Sequence, residues 1–386
     1  MSFPKIGVIG GGQLARMMAP EALNLGFELH VLAEGPEVSA ARSVPDAPIG
    51  DYKDLDTLRE FAKGKDVVTF DHEHVPNEFL TTLINEGVNI QPRPAALIHA
   101  QDKLVMREAI ERLGLPNPAW AKVEDVQQLI DFGDQTGWPI VLKTPRGGYD
   151  GKGVRMLDNE QDAKEAADWF ANGPLLAEDK VDFSRELSAM VARTPSGEAK
   201  AWPVVHTIQV DGVCDEVIAP AQDLDQATAA AAAQAALLIA NEFGVTGVMA
   251  AELFETPGQG AGFVINELAM RPHNTGHWTM NGSVTSQFEQ HLRAVLDLPL
   301  GETSELGVTV MKNYLGGANE DLYSAFSAAL AAAPEVKVHA YGKSVRPGRK
   351  IGHVNVVANA GQSVDELRSQ ANKVAALIRD GVDAEH

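Results

Sequence analysis

The 386-residue sequence contains a single cysteine and few basic residues relative to acidic ones. Cys214 alone cannot form an intrachain disulfide or a zinc site built from several thiolates, so we expect a reduced, cytoplasmic protein. Its neighbours predict that this cysteine lies in a turn and is inert. The 53 Asp and Glu residues outnumber the 32 Lys and Arg residues, and the net charge is −21. This sign argues against general binding to nucleic acids or to anionic membranes, which attract basic proteins.

Long apolar runs are also absent from the sequence. No stretch approaches the roughly 18 apolar residues that suggest a membrane-spanning helix. The apolar run at residues 6–9 is too short for the core of a signal peptide. With 45% apolar and 22% charged residues, the composition is that of a globular protein, and the length indicates two or three domains. We therefore expect no membrane segment.

Apolar and helical patterns predict mixed α/β and α+β structure. The three predicted domains are residues 1–100, 101–180 and 181–386. In the first domain, strands at residues 5–10, 27–32, 66–70 and 88–90 alternate with helices, which predicts a parallel sheet covered on both faces. The second domain reads as a small α+β unit. Its predicted elements are helices at residues 101–114, 126–136 and 160–170 and strands at residues 140–143, 154–157 and 175–178.

The third domain alternates strands with helices. Its predicted strands are residues 186–192, 201–208, 248–254 and 263–267. An alanine-rich stretch at residues 226–243 predicts a helix, because alanine has the highest helix propensity and Gly244 can end the helix in a left-handed conformation. A second helical pattern covers residues 364–380.

A first glycine cluster follows the first strand. Gly10, Gly12 and Ala15 fit the pattern G-x-G-x-x-A, and Glu34 lies about 20 residues further on, as in dinucleotide-binding proteins. Three interpretations stay open: a tight turn in the sheet, binding of a nicotinamide cofactor, or binding of a mononucleotide phosphate by these amides and Gln13. A nicotinamide-dependent oxidoreductase is therefore one alternative function.

A second cluster places four glycines and three cations within residues 143–153, directly after a predicted strand. Uncrowded backbone amides can surround polyphosphate oxygens while Lys143 supplies a positive charge. The pattern G-x-x-x-x-G-K-[ST] of a Walker A loop is absent. We predict a phosphate-binding loop in preference to a solvated hairpin.

Two glutamates occupy neighbouring apolar strands. A symmetric hairpin between these strands would place Glu252 directly opposite Glu267 on one face. Like charges about 4 Å apart repel by about 4 kcal/mol at an effective dielectric constant near 20. Mg²⁺ with a bound polyphosphate would offset this repulsion, because Mg²⁺ prefers oxygen ligands. The alternative is that one carboxylate faces solvent or that the register slips.

Two more polar segments follow. Residues 266–278 are dense in hydrogen-bond donors, which favours an anion or acyl site, and their histidines lack the spacing of a zinc site. Residues 346–353 contain Arg346, Arg349 and Lys350. These cations predict either a solvated turn or a clamp for a substrate phosphate.

The segments GGGQLARMM, GGYDGKG, FSRELS, GVMAAELF, NELAMRPHNTGHWT and RPGRKIGHVN, in this order, resemble the ATP-grasp superfamily and, within it, the 5-(carboxyamino)imidazole ribonucleotide synthetase family. The resemblance implies an ATP-grasp fold with a Rossmann-like N-terminal domain, a small lid domain and a C-terminal core that includes a small barrel-like segment. It also implies a homodimer.

The activity implied by the resemblance is a step of purine biosynthesis. The enzyme would use ATP and Mg²⁺ to activate bicarbonate as carboxyphosphate, and would transfer the carboxyl group to the amine of 5-aminoimidazole ribonucleotide. Another ATP-grasp carboxylate–amine ligase is the alternative within the superfamily. A nucleotide-binding protein without catalytic activity is a third possibility, which ATP binding without turnover would reveal.

The resemblance assigns residues to each ligand. Those implied for ATP are Lys103, Lys143, Gly148, Tyr149, Asp150, Gly151, Lys152, Gly153, Val154, Glu178, Asp179, Lys180, Val181, Glu186, Gln209, Asn266 and Glu267. The magnesium ligands implied are Glu252 and Glu267. Those implied for the ribonucleotide are Gln13, Glu73, Tyr149, Arg155, Arg349 and Lys350. The residues implied for bicarbonate are Arg271, His273 and Asn274, and Asp150 is preferred to His273 as acceptor of the amine proton.

The sequence departs from the family pattern in two places. A segment that commonly reads TYEIEHV is TFDHEHV here, so Asp71 and His72 are substituted while Glu73 is kept. Gln209 stands where many relatives have a histidine that contacts the nucleotide.

Overall fold

The structure, a computed structural model, describes residues 3–148 and 153–382. The strands of these residues form three sheets that follow one another along the chain. None of the helices in this part of the chain is both long enough and apolar enough to cross a membrane.

The N-terminal sheet is parallel, with strand order β2-β1-β3. Its strands are β1 (Lys5–Ile9), β2 (Glu28–Leu32) and β3 (Val67–Phe70). Ile6 and Val8 pack into one apolar core, whereas Ile9 and Phe70 pack into another on the opposite face. The predicted parallel sheet with two covered faces is confirmed. Residues 88–90 are not a strand, because Ile90 makes only an isolated bridge with Val68.

Five helices belong to this region and its connection to the next sheet. They are α1 (Gln13–Leu25), α2 (Leu55–Ala62), α3 (Asn77–Asn85), α4 (Pro94–Gln101) and α5 (Lys103–Arg112). The helix predicted at residues 101–114 begins at Lys103, because the Asp102 carboxylate accepts hydrogen bonds from the amides of Leu104 and Val105 and caps α5.

The small sheet is antiparallel, with strand order β4-β7-β5-β6. Its elements are β4 (Trp120–Val123), α6 (Val126–Thr136), β5 (Ile140–Lys143), β6 (Val154–Leu157), α7 (Glu160–Glu165) and β7 (Leu175–Asp179). The helix predicted at residues 160–170 ends at Glu165 and is followed by a 3-10 turn at Ala167–Asn172. Ile140 and Leu142 are buried beneath the sheet, so the alternate residues face the other way.

The large sheet has the strand order β13-β12-β8-β10-β11-β14-β16-β15, with β9 paired to β8. Its strands are β8 (Arg185–Arg193), β9 (Ala199–Ala201), β10 (Val205–Val210), β11 (Val213–Ala219), β12 (Gly247–Glu255), β13 (Phe263–Ala269), β14 (Thr309–Leu315), β15 (Lys337–Ala340) and β16 (Lys350–Val357). The helices around it are α8 (Gln226–Glu242), α9 (Thr279–Gly282), α10 (Gln287–Val295), α11 (Phe326–Ala332) and α12 (Val364–Asp380).

Two expectations about this region were wrong. Residues 201–208 form two strands, since Pro203 lies between β9 and β10 and has no N–H for a ladder bond. Cys214 lies buried on β11 and not in a turn, and burial raises the pKa of its thiol to about 12, which makes it inert. The predicted C-terminal barrel-like segment stays a prediction; in that segment β14 pairs with β16, and β14 also pairs with β11.

Candidate active site

Three cavities meet at His273, which lines all of them. The sheet cavity, about 550 Å³, lies between the small and large sheets. The basic cavity, about 370 Å³, is lined by Lys343, Arg349 and Lys350. The broad cavity, about 880 Å³, extends from residues 72–78 to residues 145–148. A group held at His273 can therefore be reached from three sides.

The carboxylate pair Glu252 and Glu267 separates the sheet cavity from the broad cavity. The two residues are direct partners in the β12–β13 ladder, which confirms the predicted register. The hairpin is not symmetric throughout, because a β-bulge leaves Asn266 as an extra residue on β13. Each carboxylate meets one cationic or potentially cationic group. Glu267 forms an ion pair with Lys103, and Glu252 lies 3.1 Å from Nε2 of His273.

Glu252 is held in its ionised form. Burial alone would raise the pKa of this carboxyl, but the hydrogen bond from His273 and the positive charges of His273, Lys350 and Lys103 hold it below its ordinary value. Two ionised carboxylates on one face are the oxygen donors that a hard divalent cation prefers. The described residues contain no cluster of three or more His, Cys, Asp or Glu side chains suited to a metal. A cation here would need further ligands from a bound molecule.

A second ionic group lies behind this pair and is mostly buried, although its members also line the sheet cavity. Glu178 binds the Nε of Arg107 and lies 2.5 Å from Nζ of Lys143. Burial, which would raise the pKa of Glu178, is outweighed by these two cations, and its pKa stays below the ordinary value. Burial and the charge of Arg107 outweigh Glu178 and lower the pKa of Lys143. The Glu178 side chain is therefore engaged with two cations.

Arg107 is a residue that our sequence reasoning missed. Its guanidinium donates to the backbone carbonyls of Ile265 and Asn266 at 2.7 Å each, so it holds the bulge that brings Glu267 opposite Glu252. A sequence signal existed, because Arg107 follows Lys103 by four residues on α5 and so lies on the same helix face.

The sheet cavity combines an apolar slot with a polar side. Its apolar walls are Val141, Val154, Met156, Phe183 and Phe254. Glu186 and Gln209 form the polar side, and Asp179, Lys180 and Val181 line the edge. Burial, together with the nearby charge of Glu252, raises the pKa of Glu186 to about 7. Lys143 reaches towards Asn266, with Nζ 3.4 Å from its Oδ1.

The glycine-rich loop is only partly described. Gly148 lines the broad cavity, and Gly153 adopts a φ of +73°, which favours glycine. Tyr149, Asp150, Gly151 and Lys152 lie outside the described residues, so the predictions for them stay predictions.

The basic cavity is lined by Gln13 from α1 and by the segment that precedes β16. Nη1 of Arg349 donates to the hydroxyl of Ser344 at 2.8 Å, and Lys343 binds Oε1 of Gln13. Lys343 was not predicted, although it lies just before the basic segment that was. Asn274 lines both this cavity and the sheet cavity, and neither of its amide atoms has a nitrogen or oxygen partner within the described part of the chain. Its amide is therefore available to a ligand.

Glu73 connects the N-terminal domain to Arg271. Its Oε2 lies 3.1 Å from Nε of Arg271, and its Oε1 accepts a hydrogen bond from the amide of Met270 at 2.5 Å. Glu73 and Arg271 both line the broad cavity. In this structure Glu73 therefore orients Arg271, in addition to any contact with a substrate.

The structure does not bring Arg155 to these cavities. Val154 and Met156 face the sheet cavity, so Arg155 between them points to the opposite face of β6. Its guanidinium donates to the carbonyl of Glu165 at 3.3 Å.

The first glycine turn is occupied by the chain itself. The amide of Gly11 donates to Glu34 at 3.0 Å, and the amide of Ala15 donates to Asp71 at 2.8 Å. A Cβ atom on Gly12 would lie 2.1 Å from the Asp71 carboxylate, which explains why this position is glycine. Because two carboxylates already occupy these amides, a cofactor pyrophosphate would meet negative charge. The nicotinamide alternative is therefore disfavoured.

Comparison with known proteins agrees with this geometry. Residues 3–101 match the ribonucleotide synthetase preATP-grasp domain, residues 108–288 match the ATP-grasp domain, and residues 309–367 match the phosphoribosylaminoimidazole carboxylase C-terminal domain. The N5-carboxyaminoimidazole ribonucleotide synthase of Corynebacterium ammoniagenes is 51% identical over 383 residues, which cover 97% of this chain and 92% of that protein. The chain belongs to the N5-carboxyaminoimidazole ribonucleotide synthase family.

Further members of this family are similar over nearly the whole chain. The synthase of Mycobacterium tuberculosis (strain H37Rv) is 49% identical over 388 residues, covering 98% of this chain and 88% of that protein. The Aspergillus clavatus enzyme, solved with ADP and 5-aminoimidazole ribonucleotide, superposes with a TM-score of 0.87 at 31% identity, covering 98% of this chain and 99% of that one. The resemblance read from the sequence, including the ATP-grasp fold, is confirmed.

Proposed function

We propose that this chain carboxylates 5-aminoimidazole ribonucleotide with bicarbonate and ATP, which gives N5-carboxyaminoimidazole ribonucleotide, ADP and phosphate in purine biosynthesis. The observation that carries the proposal is the meeting of the sheet cavity and the basic cavity at His273. The first suits a nucleotide and the second a phosphorylated small molecule. The ADP and aminoimidazole ribonucleotide in the Aspergillus clavatus structure support both assignments.

ATP occupies the sheet cavity in this proposal. The apolar slot takes the adenine, the backbone at residues 178–181 reads its edge, and Glu186 with Gln209 faces the ribose. Lys103, Lys143 and Asn266 lie at the inner end, where the phosphates would be. By resemblance, the glycine loop, Gly148 to Val154, would cover them and exclude water that would hydrolyse a reactive intermediate.

Mg²⁺ is proposed at Glu252 and Glu267. The fit rests on two facing carboxylates at the inner end of the cavity, where phosphate oxygens of a bound nucleotide would complete the ligand set. When bound, the ion would neutralise negative charge on the transferring phosphoryl group.

The ribonucleotide is proposed to bind with its phosphate in the basic cavity. Arg349, Lys350 and Gln13 line that cavity, and Lys343 adds a further cation. The aminoimidazole ring would then lie towards Glu73, Tyr149 and Asp150. Arg155 would contact it only if its side chain left the Glu165 carbonyl, which makes Arg155 the weakest of these assignments.

The proposed chemistry has two steps. An oxygen of bicarbonate attacks the γ-phosphorus, the bond to ADP breaks, and carboxyphosphate forms; the amine then attacks the carboxyl carbon, phosphate leaves, and the nitrogen loses a proton. Arg271, His273 and Asn274 hold the bicarbonate and its carboxyphosphate form. Because bicarbonate is a poor electrophile, the chain contributes mainly by positioning and by charge neutralisation.

His273 is poorly placed to accept the amine proton. Its Nε2 faces the Glu252 carboxylate, which can only accept, so Nε2 carries a proton. Its Nδ1 lies 2.9 Å from the hydroxyl of Thr275, which donates to it when the ring is neutral. Both ring nitrogens are therefore engaged, and Asp150 stays the proposed acceptor.

The first experiment measures ADP release with ATP, Mg²⁺ and bicarbonate, in the presence and absence of 5-aminoimidazole ribonucleotide. We expect strong dependence on the ribonucleotide and entry of labelled bicarbonate into an acid-labile product. ADP release that depends on a different amine or carboxylate would keep the ATP-grasp chemistry and refute this substrate.

Analytical ultracentrifugation of the same sample tests the proposed homodimer, and immunolocalisation in the source cell tests the proposed cytoplasmic location.

The substrate clamp has its own test. Lys350→Ala should raise the KM for the ribonucleotide more than the KM for ATP, because Lys350 is one of the cations of the basic cavity, although it also borders the sheet cavity. Lys312→Ala is the matched control, since Lys312 lies on the neighbouring strand β14 and forms an ion pair with Asp215 outside the cavities. Equal increases in both KM values for Lys350→Ala would contradict the assignment.

A further inference from the structure

Gln287, the first residue of α10, is fully buried beneath the segment that carries His273. Its Oε1 accepts a hydrogen bond from the amide of His273, and its Nε2 donates to the carbonyl of His273, both at 2.8 Å. One side-chain amide therefore binds both backbone groups of a single residue. In this way it replaces the pairing that a neighbouring strand would provide after β13 ends.

A third hydrogen bond fixes the orientation of this amide. Nε2 of Gln287 also lies 2.9 Å from Nδ1 of His277, a buried ring whose pKa is well below its ordinary value because of its burial. The neutral ring accepts at Nδ1, so both N–H groups of Gln287 have acceptors and its oxygen faces a donor. A flipped amide would place oxygen against oxygen and would lose all three bonds.

The backbone beneath Gln287 is also constrained. Its amide donates to the hydroxyl of Thr279 at 2.8 Å, and that hydroxyl donates to the carbonyl of Gly276 at 2.6 Å. A Cβ atom on Gly276 would lie 2.5 Å from Oε1 of Gln287, so glycine is required for this close approach. Helix α10 itself packs against α1, with Phe288 and Leu292 in the core of the N-terminal domain.

The consequence for His273 is a restricted ring. With its backbone bound to Gln287, the ring spans from Glu252 at Nε2 to Thr275 at Nδ1, and Thr275 is itself 2.8 Å from the hydroxyl of buried Ser188. A shift of the backbone would therefore carry the ring away from these partners. Because His273 lines all three cavities, such a shift would move the point at which the substrates meet.

We infer that Gln287 is a positioning residue for the carboxylation step: it holds His273 where bicarbonate and its phosphorylated form are bound. This inference rests on the proposed function. Gln287 lines none of the three cavities, so its role is exerted through His273. Loss of the hydrogen bonds from Gln287 to the His273 backbone should disturb bicarbonate use and the transfer of the carboxyl group while leaving the nucleotide contacts in place.

The chain offers a closely matched control on the same helix. Gln290 is also fully buried, and its amide accepts from the amide of Gly301 at 2.7 Å and donates to the carbonyl of Gly301 at 2.9 Å. Gly301 lines none of the three cavities. Gln290→Met therefore removes an equivalent pair of hydrogen bonds, here to the backbone of Gly301, and leaves the backbone of His273 bound to Gln287.

The experiment compares Gln287→Met with Gln290→Met by thermal unfolding and by steady-state kinetics. Both variants should unfold at lower temperature than the unmodified chain. Only Gln287→Met should lose kcat/KM for bicarbonate, on the order of 10²-fold, as expected for a misplaced reacting group. The KM for ATP should be unchanged, and ADP release should exceed formation of the carboxylated product.

Each outcome decides the inference. Equal kinetic effects in the two variants would overturn the inference and leave Gln287 a structural residue. The same holds if ADP release and product formation fall in parallel while the ratio of kcat/KM for bicarbonate to kcat/KM for ATP is unchanged. If Gln287→Met does not fold, Gln287→Glu has nearly the same size, keeps the acceptor and loses both donors, and the same kinetic loss is expected. Failure of the unmodified chain to form the product would instead overturn the proposed function, and this inference with it.

Discussion

Two carboxylate groups lie side by side at the inner end of the sheet cavity, and they differ in how their charge is balanced. Glu252 and Glu267 are two anions with one lysine and one histidine as direct partners, and 27% and 41% of their side chains are exposed. Glu178 is one anion between Arg107 and Lys143, and only 4% of its side chain is exposed. The first group has negative charge left over and faces the cavity. The second has none left over and its carboxylate is nearly buried, although the group also borders the sheet cavity.

The difference teaches that similar residue types serve different purposes according to access and charge balance. A buried anion with two cations needs no ligand and contributes to holding α5, β5 and β7 together. An open anion pair can accept a cation and stays poised for one, because its protein partners do not use all of its oxygen lone pairs. Arg107 connects the groups, since it binds Glu178 and also the bulge next to Glu267.

The strongest test of this comparison is Glu267→Gln. We expect ATP turnover to be abolished and the fold to be retained, because the change removes a proposed metal ligand from an open site. Turnover is measured as ADP release with Mg²⁺, and the fold is measured by circular dichroism. Glu255→Gln is the control, since Glu255 lies on β12 and pairs with Arg185 outside the cavities. Near-normal turnover in Glu267→Gln would contradict the metal assignment.

Glu178→Gln is expected to lower the stability of the fold, whereas Glu267→Gln is expected to leave the fold intact. The change leaves Arg107 and Lys143 buried without their carboxylate, so the free energy of unfolding should fall by about 3–5 kcal/mol. Urea denaturation measures this loss. Glu289→Gln, which removes the partner of Arg293 near the surface, should cost less than about 1 kcal/mol. A comparable small loss for Glu178→Gln would show that this ionic group does not stabilise the fold.

The smallest effect concerns Glu186, a third carboxylate that faces the same cavity. Burial and the charge of Glu252 raise its pKa to about 7 from an ordinary value of 4.5. The protonated form is favoured in the folded chain, so this group's contribution to stability is complete below about 4.5 and is lost as the pH rises to about 7. Under the proposed function, ATP binding should have the opposite dependence, because the ionised carboxylate would accept hydrogen bonds from the ribose hydroxyls.

The measurement for Glu186 is the KM for ATP as a function of pH. We expect the KM to fall as the pH rises through about 7, and Glu186→Gln to remove this transition. Glu252→Gln also removes a proposed metal ligand, so its transition is measured in the Kd for ATP; it should move to lower pH, since the neighbouring negative charge is gone. A transition that stays in place in both variants would arise from a different group.

Much of the fold was predictable from local patterns. The helices at residues 126–136 and 364–380 and the strands at residues 140–143 and 154–157 have the predicted bounds. Their boundaries carry strong local signals: Asp125 caps α6, and Ser363 with Glu366 forms a capping box at α12. The strands β11, β14, β15 and β16 were missed: β14 depends on pairing with β11, far earlier in the chain, but β11 follows β10 after a two-residue turn and was open to prediction.

The register of the carboxylate pair was predictable from the sequence, and the structure adds a bulge beside it. Counting from the midpoint of the turn places Glu252 opposite Glu267, and the ladder agrees. The bulge at Asn266 was not predictable, since it is held by hydrogen bonds from Arg107 on a helix about 160 residues earlier in the chain.

By itself the sequence determined the family, the three groups of elements and most of the residue types that line the cavities, because motifs and periodicities are local properties of the chain. Only the tertiary structure decided which of these residues are free to bind a ligand. Glycine turns look alike in sequence, yet Glu34 and Asp71 occupy the first one. Glutamates look alike too, and all three line the sheet cavity, yet Glu178 is paired with two cations while Glu252 and Glu267 each have one partner. The physical reason is that charge balance and access depend on neighbours brought from distant parts of the chain.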